Sequence, residues 1–293
     1  MTSVDVARLA RRWDAVRYRW LLPRTERGGA AAALYASLCA RVVWQLDGPR
    51  RHAAVDRIAR WLEIDGRAAA IVYRAALRSE AREEADSCWL MSRPDLPAAR
   101  IVGTEPRCAE PAIWATLHFG SPVLAYLHLR RMRGLDVQIV GRPLDDANPM
   151  PHVKRAWGMR KIAWLERQAG LPILGVSPEA TAIAHSRLRS GRSIFVLMDV
   201  PGDVVARRMT LSLCGERLSF ACGIFALAAM TRVPVVPVVV VRRGDDFELH
   251  YGEPLHVAEG ADVPCDEIGR RLTRFVLTMP EEWWLWPYLP RAA

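Results

Sequence analysis

The feature that most constrains this chain is a change of rhythm near residue 112. Beyond it, short β-branched runs alternate with helical stretches. Residues 112–117 read as a strand and 122–133 as a helix stopped by Gly134. The pattern continues with a strand at 136–140, a helix at 153–168 before Gly170, a short strand at 171–176 and a helix at 178–188. Strands at 193–198 and 209–213 follow, then a helix at 220–231. Such alternation predicts an α/β fold with a central sheet covered by helices on both faces. Strands at 235–242 and 247–251 are joined through Gly244-Asp245 as a hairpin, so the sheet should be mixed. A helix at 266–278 precedes the tail Trp283-Trp284-Leu285-Trp286.

Before this region the chain reads as helices only, at about 4–20, 31–46, 50–62 and 66–90. The stretch 92–111 holds Pro94, Pro97, Pro106 and Pro111 and reads as a loop. The expectation is one domain over 1–293, with an N-terminal helical part (1–91) and an α/β core (112–290). A content of 51% apolar and 25% charged residues excludes wholesale disorder.

The six cysteines show no two-residue spacing and no histidine at ligand distance. This argues against a zinc site and a disulfide framework, and favours a reducing, cytoplasmic setting. No glycine loop for phosphates and no dinucleotide fingerprint is present, so no metal or cofactor is expected. The net charge of +9 comes almost wholly from arginine; Lys154 and Lys161 are the only lysines. It suits nucleic acid, an anionic membrane face or an acidic protein. Nothing resembles a nucleic-acid recognition motif, so nucleic acid is not an expected partner.

The stretch 30–40 stops at Arg41, and 220–230 runs into Thr231, Arg232 and Pro234. Both fall short of the roughly 20 apolar residues of a membrane span. A soluble protein, or one held peripherally on the inner face of the cell membrane, is expected. Helix 4–20 sets Val6, Leu9, Trp13, Val16 and Trp20 against a face of arginines. That pattern fits an interfacial helix or an ordinary surface helix. The tail tryptophans fit either a membrane interface or a wall of the core.

Ligands of open α/β sheets bind beyond the carboxyl ends of the strands. His118, Arg142 and Asp199 all fall at strand ends. His118 precedes a helix start in which Ser121 suits the N-cap and Pro122 the first helical position. A histidine there can take a proton from an attacking hydroxyl, and nearby backbone N–H groups at the helix start could hold an oxyanion or phosphate.

The segment Ala115-Thr116-Leu117-His118-Phe119-Gly120-Ser121 resembles the catalytic segment of the lipid A late acyltransferases, the lauroyl/myristoyl transferases of the lysophospholipid acyltransferase superfamily. Further blocks are similar in the same order: Gly141-Arg142-Pro143-Leu144, Val196-Leu197-Met198-Asp199, Leu213-Cys214-Gly215-Glu216, Val233-Pro234-Val235-Val236-Pro237-Val238 and Pro280-Glu281-Glu282-Trp283-Trp284. The resemblance covers about residues 50–288. It implies His118 as general base, Arg142 on a phosphate of donor or acceptor, and Phe119, Gly120, Ser121 and Gly215 in the substrate site. The family motif is H-x-x-x-x-D/E, and here the acid position holds Val123. Asp199 and Glu179 are the candidates to supply the missing carboxylate.

The resemblance thus implies transfer of a fatty acyl group from an acyl carrier protein or acyl-CoA thioester to a hydroxyl or amine of a lipid-like or specialised-metabolite acceptor. The alternative is a non-catalytic protein on the same fold that binds acyl groups, lipid or carrier.

Overall fold

The computed structural model describes residues 3–93, 95, 97, 99–102, 111–141, 144, 150–201, 208–244, 246–258 and 264–289. It is a mixed α/β structure with an N-terminal helical segment and helices around a six-stranded sheet. The chain divides into two compact units. One comprises Met1–Pro97 and Pro143–Gly170, the other Ala98–Arg142 and Leu171–Ala293.

The first unit is helical. Its helices are α1 (Ser3–Val16), α2 (Gly29–Leu46), α3 (Gly48–Leu62), α4 (Gly66–Met91) and α6 (His152–Ala169). The helix expected at 153–168 thus belongs with the N-terminal helices rather than with the strands among which it falls in sequence. The core of this unit joins Tyr18, Leu22, Tyr35, Cys39, Ala85 and Trp157. A charge is buried among them. Glu84 on α4 lies 2.6 Å from Arg17 Nη2, and the hydroxyls of Tyr18 and Tyr35 each donate to it at 2.7 Å. Burial alone would raise the Glu84 carboxyl, but Arg17, Lys154 and the two tyrosines outweigh it and hold the pKa below its ordinary value.

Helix α2 runs unbroken through Arg41, so it is longer than its apolar stretch suggests. Among the described residues it is, at 18 residues, long and apolar enough by length and composition to cross a membrane. One side of it is buried at Ala32, Tyr35, Ala36 and Cys39.

The second unit is built on a sheet of order β1-β8-β7-β2-β4-β3. The strands are β1 (Ala99–Val102), β2 (Ile113–Thr116), β3 (Val137–Val140), β4 (Ser193–Leu197), β7 (Val235–Arg243) and β8 (Asp246–Tyr251). Neighbours run parallel except β7 and β8, the expected hairpin. All side chains of β2, and those from Val235 to Val241 of β7, are buried. Continuous burial, rather than alternation, is the signature of a strand covered on both faces. Helices α5 (Pro122–Leu127), α7 (Pro178–Arg189), α8 (Gly223–Thr231) and α9 (Cys265–Thr278) complete the unit. Helix α5 packs on β7 and α7 on β4.

Three expected elements differ. The proline-dense stretch contains β1, a strand at the sheet edge. Residues 171–176 form no strand, only a bridge from Leu174 to Val140. The segment read as entering a helix at 220 first completes an antiparallel pair, β5 (Arg208–Leu213) with β6 (Glu216–Ala221).

Candidate active site

Parallel pairing of β2 and β4 sets the geometry. Thr116 lies opposite Leu197, and each strand ends near that point. Two residues further along each chain stand His118 and Asp199. The register therefore brings these two side by side beyond the carboxyl edge of the sheet, where the chain's route divides between β3 and β7 on opposite sides of β2.

The contact is specific. Asp199 Oδ1 lies 2.9 Å from His118 Nδ1, and Oδ2 accepts the His118 backbone N–H at 2.8 Å. The same Oδ2 accepts the indole N–H of Trp283 at 2.9 Å. Asp199 is fully buried, whereas the His118 side chain keeps 29% of its surface exposed. A buried carboxylate held by three donors fixes the ring and selects the tautomer with hydrogen on Nδ1. Nε2 then presents a lone pair on the opposite side of the ring, the arrangement of a general base.

The C-terminal tail builds the remaining wall. Trp284 donates its backbone N–H to the His118 carbonyl at 2.9 Å, and its ring meets the imidazole edge-on with centroids 6.3 Å apart. Trp283 and Trp286 are almost wholly buried. Trp283 and Trp286 thus serve as core, one of the two roles left open from sequence, while Trp284 is half-buried. Trp283 as a partner of Asp199 was not foreseen; the pairing of Phe119 with Trp283 spans too much sequence to be read locally.

The turn after His118 narrows which nearby N–H groups could meet an oxyanion or phosphate. Phe119 N–H donates to Leu117 O at 2.8 Å, Gly120 N–H to Glu282 O at 3.1 Å and Ser121 N–H to Val240 O at 2.7 Å. The N–H groups of the turn itself are therefore spent inside the fold. Phe119, Gly120 and Ser121 shape the turn. Gly120 has φ +53°, and a Cβ there would sit 2.1 Å from the Val240 carbonyl oxygen, so only glycine fits. Ser121 caps α5, its Oγ accepting the Leu124 N–H at 3.3 Å, and Pro122 takes the first helical position.

Val123, at the motif's acid position, is buried in the first turn of α5. Glu179 is exposed in the first turn of α7. Of the two carboxylates considered, it is Asp199 that bonds the imidazole. Gly215 makes the two-residue turn between β5 and β6, where it and Cys214 both have positive φ, and none of the bonds around His118 described above involves it. Arg142 lies outside the described residues. Among the described residues no group of three or more His, Cys, Asp or Glu side chains is placed to hold a metal ion.

No family model matches the chain, and no curated protein matches it.

Proposed function

We propose that the protein is an acyltransferase that moves a fatty acyl group from a thioester donor to a hydroxyl or amine. The observation that carries this reading is the bond between buried Asp199 and His118 Nδ1 at the carboxyl edge of the sheet. The ordered sequence resemblance to the lipid A late acyltransferases supports it independently.

In this mechanism His118 Nε2 takes the proton of the acceptor hydroxyl or amine as its oxygen or nitrogen attacks the thioester carbon. Asp199 stabilises the imidazolium that forms. The tetrahedral intermediate collapses, the C–S bond breaks, and the imidazolium returns the proton to the leaving sulfur. The products are an ester or amide and a free thiol. Donors to the oxyanion must come from outside the N–H groups of residues 118–121, which are engaged. Arg142 is proposed to hold a phosphate of donor or acceptor. The net charge of +9 suits an acidic acyl carrier protein, the phosphates of coenzyme A and an anionic membrane face, with the protein peripheral on the inner side.

The engaged N–H groups favour one competing reading, a protein that binds acyl groups without transferring them. Transfer of a labelled acyl chain from acyl carrier protein or coenzyme A separates the two. Purified protein should transfer the label, and His118→Ala should abolish transfer while circular dichroism stays unchanged. Transfer that survives His118→Ala would remove the proposed mechanism; absence of transfer with retained donor binding would favour the binding protein.

A further inference from the structure

The pair α2 and α4 in the helical unit carries a cleft of about 330 Å³. Ser37, Arg41, Trp44 and Gln45 line it from α2, and Arg74 and Arg78 from α4. Arg41 and Gln45 are one helical turn apart, as are Arg74 and Arg78, so each helix presents successive groups to the same space. Every polar side chain in this lining can donate a hydrogen bond, and no carboxylate is among the lining residues.

Trp44 organises the wall. The Arg74 guanidinium carbon lies 4.2 Å from its ring centroid and that of Arg51 lies 5.2 Å away. Arg51 also donates from Nη1 to the Trp44 carbonyl at 2.8 Å. Cation–π contact of this kind restrains long side chains that would otherwise sample many rotamers. Other arginines of the unit face carboxylates, Arg17 on Glu84 and Arg82 on Asp86. The cleft instead gathers Arg41, Arg74 and Arg78 around one space whose lining holds no carboxylate, a set of like charges that favours entry of an anion. Guanidinium forks match phosphate oxygens in pairs. The volume equals the share of about ten liquid waters at roughly 30 Å³ each, room for a compact head group rather than a long chain.

We propose that this cleft binds a multiply charged phosphate group, a diphosphate or the head of a phosphate ester. The group can arrive on a soluble molecule or on an anionic lipid. Leu34, 72% exposed, and Leu38 lie on the same face of α2 as Arg41 and would meet the lipid in the second case. The site belongs to the helical unit and does not depend on the acyl-transfer reading.

Calorimetric titration of the full chain with inorganic pyrophosphate at low ionic strength tests it. Saturable binding at one site is expected, weakening as salt rises. Arg41→Gln with Arg78→Gln should weaken it at least about tenfold, each single change contributing. Arg8→Gln with Arg11→Gln, on exposed positions of α1, should leave it unchanged. All three cleft arginines are exposed, and circular dichroism verifies that each variant folds. Absence of saturable binding, or equal weakening by both double variants, overturns the proposal. Sedimentation with phosphatidylcholine vesicles, with and without phosphatidylglycerol, separates the sources. Binding that needs phosphatidylglycerol, Arg41 and Arg78, and that pyrophosphate displaces, assigns the lipid head group. Pyrophosphate binding without vesicle binding assigns a soluble phosphate.

Discussion

At the scale of single residues, the pairing of His118 with Asp199 is the strongest chemical statement the molecule makes. Asp199→Asn keeps an acceptor but loses the charge that supports an imidazolium. Transfer of labelled acyl chain should fall about ten-thousandfold, by analogy with an orienting aspartate in a serine protease triad. A loss of less than tenfold would remove Asp199 from this role. Val123→Glu separates this site from the family motif. Asp199 already bonds Nδ1, and Val123 is only 6% exposed. The new carboxylate should bring no gain in transfer and should cost about 2–5 kcal/mol in urea unfolding, because it buries a charge with no partner. A gain in transfer would show that the ring accepts a first-turn acid. His118 and Asp199 were legible in the sequence because strand ends can be counted. Their pairing was legible only as one of two options beside Glu179, because the choice depends on the register between two strands 81 residues apart. That the N–H groups of Phe119, Gly120 and Ser121 are engaged was hidden for a similar reason. Their acceptors lie at Leu117, Val240 and Glu282, and two of these three are far away in sequence.

At the scale of elements, the β2–α5 turn shows how local and distant constraints combine. Ser121-Pro122 announces a helix start in sequence, and the helix starts there. Gly120→Ala would meet both an unfavourable φ and the Val240 carbonyl. It should destabilise the protein by about 3 kcal/mol or more, measured by denaturant unfolding. A change below 0.5 kcal/mol would mean that β7 yields easily, and that the turn is less fixed than its bonds suggest. The long valine run of β7 was plain from composition alone. Strand β1 was hidden because its four residues sit among prolines, and its partner β8 lies nearly 150 residues later. Strand β6 was hidden because Phe220 and Ala221 run straight into the apolar α8, so alternation gave way to a continuous apolar stretch.

At the scale of the whole molecule, a buried charge network around Glu84 helps tie the helical unit together. Arg17, Tyr35 and Glu84 come from separate segments, and removing one charge leaves the other buried. Glu84→Gln should therefore cost about 3–5 kcal/mol. The pH dependence follows from the sign of the shift. Glu84 has a folded pKa below its ordinary 4.5, so its contribution is present above that value and lost as pH falls through the lowered one. The urea midpoint of the native protein should drop as pH falls below 4.5, and Glu84→Gln should flatten that slope. An unchanged slope would place the acid sensitivity in other carboxylates. The sequence separated helical from α/β regions correctly, but α6 was assigned by its position in the chain. Its burial against Tyr18 and Cys39 puts it with the first unit, a membership that only long-range packing decides.

The tail that closes the histidine turn has a consequence for how the protein is made. His118 emerges from the ribosome early, yet its ring partner is residue 199, the turn's acceptors include residues 240 and 282, and Trp283 and Trp284 complete the set. Synthesis proceeds from the N-terminus at roughly 5–20 residues per second. A nascent chain halted before Trp283 therefore holds the histidine without the tail contacts that lock it. The final geometry of the site waits until residues 282–284 have been made, and chains stalled short of them should carry the helical unit folded and the site unassembled.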